Sequence, residues 1–437
     1  MVSRRALLAS GTSAIASCLV SAQAPSFAEF EPHLELFDAP NDQSQDQLAR
    51  NEGYWERVRS QYSLDPKFVW LANGPGGNAP RQLLDRAKAY LEETATNASY
   101  ALPEFASILE SGSSAQLRAR MAKTFGCDDD EIALQRNTME GTATCVYGLP
   151  LRRDDEVLSS VLDYDACLSL WRLREKRDGI RLRLVDVPTP AGDDDIIAAF
   201  ASAITPRTRV MMVCHMTTNN GQIFPVRRLG ELARQHGIFF LVDGAHGPGQ
   251  LTFHLHELNC DAYAASLHKW FNAPRAAGLL YVRRSRIAEI APLFPDASLS
   301  QTTAEKFEYC GTVQYATPAV LPLAFDIYDR TGITNREARL RYLRDYWMAP
   351  LAKEERIQFF TSADPRLSCA IASFRVKGIE PSKLKKMLRE RYGLRIKSIE
   401  EPEVKGLIAN NVAASFTNSI GDLDRLLESL TSILRST

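Results

Sequence analysis

Residues 237–243 (GIFFLVD) and 260–271 (CDAYAASLHKWF) decide the fold. The first run is apolar for six positions and ends in Asp243, with Gly244-Ala245-His246 behind it. The second ends in Ser266-Leu267-His268-Lys269, with the aromatic pair Trp270-Phe271 behind it. Short apolar runs between turn residues read as buried parallel strands. Parallel sheets bind ligands at the carboxyl ends of their strands, where both the acid and the lysine fall. Taken singly, a strand-end Asp is usually a turn or cap residue and a Lys usually a solvated charge. As a pair they are more specific. A lysine can form a Schiff base with a carbonyl, and a buried aspartate can hold a cationic ring nitrogen. Those are the two groups that pyridoxal 5′-phosphate (PLP) requires of a protein.

On Val242-Asp243-Gly244-Ala245-His246 and Ser266-Leu267-His268-Lys269-Trp270 the chain resembles the class V aminotransferase family of PLP enzymes. Its isopenicillin N epimerase-like and cysteine desulfurase-like members are the nearest in pattern, and the likeness runs from about Asn73 to the C-terminus. The resemblance implies an α/β chain of fold type I. A large domain with a mainly parallel, seven-stranded type of sheet is covered by helices, and a smaller α+β domain follows.

The residues between the motifs fit that plan. Strand-like stretches at 131–136, 156–160, 181–187, 207–214, 238–243 and 277–283 alternate with helical spacing at 81–96, 113–125, 194–204 and 226–236. Such alternation argues for a parallel sheet covered on both faces. Downstream, 334–352, 383–392 and 422–434 read as helices, and 368–376 and 394–399 as strands. The resulting division is 1–28 an export signal, 29–51 a linker or loosely docked arm, and 52–80 a segment joining the small domain. Residues 81–330 form the PLP-binding domain and 331–437 the small domain.

Further site residues come from both sources. Asn137-Thr138-Met139 lies between a strand and a helix, so free backbone N–H groups and the positive helix end converge there, with simple capping as the alternative. The family holds the PLP phosphate at this turn, which implies Thr138 and Met139. Asn73-Gly74-Pro75-Gly76-Gly77 is a tight loop where the main chain can approach a ligand. The family's entry loop falls here, with Asn73 and Gly74 as substrate contacts. By the same resemblance Tyr164 stacks on the cofactor ring, and Thr218 or His246 reaches its phenolic oxygen. Ser266 and His268 contact the phosphate or shape the site. Thr312 reaches across a homodimer interface to the partner's cofactor. His215 reads equally as a ligand to the cofactor or as a structural histidine.

Two departures from the family bear on the reaction. Desulfurases carry a nucleophilic cysteine in the stretch matching 397–407, and this stretch has none. Relatives acting on free amino acids place an arginine before the triplet matched by Thr417-Asn418-Ser419, to clamp the substrate carboxylate. Here that position is Asn411, so either Arg275 or another cation takes over, or the substrate is held by different groups. The expected reaction is aminotransferase- or epimerase-type, at the α-carbon of an amino-acid-like or peptide-linked amine. The alternatives are an oxidative decarboxylase or lyase, and a non-catalytic binding protein on the same scaffold.

With 52 basic and 53 acidic residues in 437, the charge is balanced, so no nucleic-acid footprint or polybasic membrane patch is visible. No metal site is expected, and the eight cysteines form no CxxC pair or disulfide framework. Ser3-Arg4-Arg5, a mildly apolar stretch to Val20 and small residues up to Ala28 have the layout of a twin-arginine export signal. Passage through that export machinery to the periplasm, with cleavage after Ala28, is the expectation. A lipoprotein box at Cys18 is the alternative. This combination resembles the exported PLP enzymes that tailor the peptide of the siderophore pyoverdine.

Overall fold

The computed structural model describes residues 32–96, 115–400 and 407–436. The export signal with Cys18 and Ala28, the first two residues of the helix expected at 113–125 and most of the 397–407 stretch lie outside those residues.

Thirteen strands are present among the described residues, numbered in chain order. They are β1 (Val69–Trp70), β2 (Ile132–Gln135), β3 (Glu156–Ser160), β4 (Arg181–Val185), β5 (Thr208–Cys214), β6 (Phe239–Asp243) and β7 (Ala262–Ser266). β8 (Gly278–Val282), β9 (Ile357–Phe359), β10 (Ile371–Val376), β11 (Leu394–Arg395), β12 (Lys397–Ile399) and β13 (Ala409–Ala413) complete the set.

The large sheet has seven strands in the order β2-β8-β7-β6-β5-β3-β4. β4, β3, β5, β6 and β7 pair in parallel, and only β8 runs against the rest. β6, β7 and β8 are buried along their whole length, because helices cover both faces and no position is left for an alternating polar residue. Trp171, Met212, Leu241 and Leu280 are among the side chains that fill one side of this sheet. The arrangement is an α/β fold of the type I class. All the parallel strands end on one edge, and that edge carries the site.

The small sheet is antiparallel, in the order β12-β13-β10-β9, and packs on the helices Ile333–Leu351, Pro381–Tyr392 and Ile420–Ser436. The N-terminal segment is built into it: β1 pairs with β11, Ala72 bridges Ala413, and Leu71 is buried in the same core. Gly332, with φ of 70°, separates the helix Ala316–Thr331 from the next one. No helix among the described residues is long and apolar enough to cross a membrane.

The segment 29–51 departs from the expectation of a linker. From His33 onward the chain belongs to one compact unit. Phe37 and Leu48 are buried, the Tyr54 hydroxyl donates to the Phe37 carbonyl (3.0 Å), and the Trp55 indole donates to the Leu48 carbonyl (2.7 Å). Two buried side chains suffice to anchor a polar stretch, and average composition does not register them. The expected strand 394–399 also differs. It is broken at Ile396, so that β11 pairs with β1 while β12 joins the small sheet.

Candidate active site

Asp243 is the last residue of β6, and its carboxylate lies at the bottom of a cavity of about 490 Å³. Gly244 makes this possible, because a Cβ there would stand 2.0 Å from the Tyr263 ring. One Asp243 oxygen accepts from the Ala245 backbone N–H (2.9 Å) and the other from the Cys167 thiol (3.3 Å). Burial pushes the Cys167 thiol well above the ordinary range, and the Asp243 charge pushes it the same way, so it stays protonated and donates. Lys269 enters the same cavity from the segment after β7. Its amine is held below the usual lysine range, chiefly by burial, with the Lys397 charge adding to the effect and Asp243 opposing it. A lysine lowered in this way is a better nucleophile at neutral pH.

The loop 73–80 is fastened to this lysine. Gly77 donates to the His268 carbonyl (2.9 Å), and the Asn272 side-chain amide donates to the Asn78 carbonyl (2.8 Å). A Cβ on Gly77 would lie 2.1 Å from the Lys269 carbonyl oxygen. The close approach that the glycines permit is therefore to the chain itself at Gly77, while Gly74 faces the cavity.

One end of the cavity is the N-terminus of the helix Thr138–Gly148, capped by Asn137, which accepts from the Glu140 N–H (3.0 Å). The Ser266 hydroxyl lies 2.9 Å from the Thr138 backbone nitrogen and 2.7 Å from its hydroxyl. Met139 and His268 line the same end. Burial and the Lys269 charge lower the His268 pKa, and its buried Nδ1 has no hydrogen-bond partner. A helix N-terminus flanked by two hydroxyls is a cradle for an anion.

The walls are Tyr164, Thr218 and His246. Tyr164 opens the helix Asp165–Asp178 and is 46% exposed, so its ring is not a core side chain. The Trp270 indole donates to His246 Nδ1 (3.0 Å). An indole nitrogen can only donate, so the His246 proton sits on Nε2. Burial, then Lys269 and Lys397, hold this histidine far below its ordinary pKa, and it is neutral.

Eleven residues singled out in the sequence thus share one cavity: Gly74, Thr138, Met139, Tyr164, Thr218, Asp243, His246, Ser266, His268, Lys269 and Asn411. Four do not line it. The Asn73 side chain is turned away, donating to the Ala413 (2.8 Å) and Trp70 (3.4 Å) carbonyls, which corrects its reading as a substrate contact. Arg275 lies against Gly76 and lines a second cavity of about 720 Å³. Thr312 also lines that second cavity. His215 pairs with the Tyr263 hydroxyl (2.9 Å), and burial lowers its pKa to about 4, which is the structural alternative. Sequence reasoning missed Cys167, Cys214 and Lys397. The cysteines carry no motif, and Lys397 becomes visible only through strand register.

The donor set fits PLP. The buried acid matches a cationic ring nitrogen, the lysine an aldehyde, and the helix N-terminus with the Thr138 and Ser266 hydroxyls a phosphate. Fold and site together define a PLP-dependent enzyme of fold type I. Residues 69–401 match the family model for class-V aminotransferases, and the chain belongs to that family. It is 29% identical to the isopenicillin N epimerase of Streptomyces clavuligerus over 395 residues, covering 86% of this chain and 97% of that protein. Among solved structures, it is similar to the cystine C–S lyase C-DES in complex with cysteine persulfide, at a TM-score of 0.74 and 22% identity. That match covers 84% of this chain and 97% of the other. The apo cysteine desulfurase of Thermococcus onnurineus gives a TM-score of 0.75 at 19% identity, covering 87% and 98%. These two likenesses concern the fold.

Proposed function

We propose that this PLP-dependent enzyme acts at the α-carbon of an amino-acid-like or peptide-linked amine, in an epimerase- or aminotransferase-type reaction. The single observation carrying this reading is the presence of Asp243 and Lys269 in one cavity, with an anion cradle at its end. When bound, PLP supplies an electrophilic aldehyde carbon and a ring that accepts the electron pair of a broken α-carbon bond.

The chain's own residues do the rest. Asp243 would hold a proton on the ring nitrogen through a charge-assisted hydrogen bond. Thr138, Met139, Ser266 and His268 would hold the phosphate. His246, through Nε2–H, and Thr218 would serve the phenolic oxygen, and Tyr164 would stack on the ring. The Lys269 amine, lowered in pKa, removes and returns a proton at the substrate α-carbon.

The lack of a cysteine in residues 397–407 and the likeness to isopenicillin N epimerase favour proton movement over sulfur transfer. The twin-arginine layout of residues 3–28 supports export, and Thr312 in the second cavity supports a homodimer whose subunits share their sites.

Protein purified with PLP should keep a visible absorption band through gel filtration, and Lys269→Ala should lose it. A colourless parent protein sinks the reading. Amines are then screened in deuterated buffer. Racemisation with deuterium entering the α-position identifies an epimerase, and keto acid an aminotransferase; carbon dioxide or persulfide rejects both.

A further inference from the structure

A smaller cavity, of about 270 Å³, lies on the other side of the loop 73–80 from the active site. Asn73 and Asn78 line it, while Ala72 and Gly74 line the cavity of Lys269, so the chain at 72–74 is the wall between the two. β1 and β11 form another wall. Their parallel pairing sets Trp70 opposite Arg395, and both residues line the cavity together with Phe68.

Two features of this cavity are not explained by the fold. Trp70 is 46% exposed, whereas Trp55, Trp171, Trp270 and Trp347 are all buried. Arg395 is half-buried and carries a charge that nothing balances. Its guanidinium lies 4.0 Å from the centroid of the Phe68 ring. A ring face attracts a cation but accepts none of its N–H groups in the way an oxygen does. Among the described residues no carboxylate lies within ion-pair distance of Arg395, its side chain donates no hydrogen bond, and its Nε is buried without an acceptor. The other charges here are engaged or distant. Arg59 pairs with Asp422 (2.7 Å), and the exposed Asp65 accepts from the Lys67 backbone N–H (2.9 Å), outside ion-pair distance of Arg395.

We propose that this cavity binds a flat aromatic group bearing a carboxylate, with the ring against Trp70 and the anion toward Arg395. The indole supplies stacking surface, and the carboxylate supplies the counter-charge that the guanidinium lacks. Small-molecule pockets begin at about 300 Å³, so this one takes a single end group and not a whole drug-sized ligand. Its occupant touches the loop whose Gly77 is bonded to the His268 carbonyl (2.9 Å), one residue before Lys269. The same chemistry has two sources, the far end of a peptide-linked substrate or a separate small molecule. Only the first rests on the PLP reading.

The test titrates 1-naphthoate and its neutral counterpart 1-naphthamide into the holoenzyme by calorimetry. The parent should bind naphthoate about 10-fold more tightly, the low end for a hydrogen bond to a charged group. In Arg395→Gln that preference should vanish, and in Trp70→Ala naphthoate should weaken by about 2- to 10-fold. Both variants should keep the parent's melting temperature and visible band. Naphthoate binding that neither variant weakens overturns the proposal, as does a parent that binds the two probes equally. To separate the sources, L-alanyl-L-tryptophan and L-alanyl-L-alanine are compared by the concentration giving half of the visible spectral change. An advantage for the tryptophan peptide that Trp70→Ala abolishes assigns the cavity to the substrate's far end. With no advantage, or one that survives in Trp70→Ala, naphthoate binding assigns it to a separate ligand. Failure of the PLP reading looks different, because the parent is then colourless while the calorimetry still reads the cavity.

Discussion

The large sheet meets the cavity with strand ends, and the small sheet meets it with one strand pair. At the ends of β6 and β7 each functional group is fixed by the backbone and by close packing. Asp243 stands over Gly244, which the Tyr263 ring leaves no room to enlarge, and Lys269 is stitched through Gly77 and His268 to the loop 73–80. On the small-sheet side the lining groups, Asn411 and Lys397, are a register pair, each hydrogen-bonded to the loop after β5 through Asn219. The difference separates two tasks. Rigid strand ends carry Asp243 and Lys269, and the register pair lines the cavity from the small sheet.

The largest effects should therefore come from the strand ends. Lys269→Ala removes both the attachment group and the proton carrier. We expect turnover to fall by about 10²–10⁴-fold, and the visible band to disappear from the same sample. Should activity survive at parental level, the division between the two regions would be wrong at its root.

Asp243→Asn comes next. It keeps the shape and removes the charge that holds the ring nitrogen protonated. Loss of a charge-assisted hydrogen bond of about 1.5–3 kcal/mol lowers the rate by about one to two decades, provided the bond is felt mainly in the transition state. Rates with saturating PLP separate this loss from weaker cofactor binding.

How far this was legible in the sequence follows the same division. The large-sheet side was readable because its signals are local: an apolar run ending in an acid, another ending in His-Lys, and a polar turn opening a helix. The small-sheet side was not. β13 reads Ala-Asn-Asn-Val-Ala, and asparagine is a poor strand former, so this central strand gave no strand signal. Lys397 matters because it pairs with Asn411, and that pairing depends on the break at Ile396. Asn73 was misread for a related reason. Its loop does face the cavity, but which side chain points inward was decided by the Ala413 carbonyl, far along the chain.

A smaller effect probes how the strand end is tuned. Cys167 donates to the Asp243 oxygen from the neighbouring helix. Cys167→Ala should lower turnover by about fivefold, the equivalent of one neutral hydrogen bond near 1 kcal/mol. Cys167→Ser, which restores a donor, should recover most of it. Equal losses in both variants would mean that the thiol matters for packing and not for the acid.

The smallest effect sets the two regions against each other on one atom. Covalent capture of PLP needs the Lys269 amine unprotonated, so its rate in the apo protein rises as pH climbs through that amine's pKa. Because burial and Lys397 lower this pKa, the midpoint should fall below the ~10.4 of an ordinary lysine. Lys397 in the small sheet pushes it down and Asp243 in the large sheet pushes it up. Lys397→Met removes a neighbouring positive charge, which makes protonation easier and moves the midpoint to higher pH. Asp243→Asn removes a negative charge and moves it to lower pH. Stopped-flow capture rates across pH give both midpoints. Shifts of the same sign would show that a general loosening of the cavity, rather than the two opposed charges, sets the reactivity of Lys269.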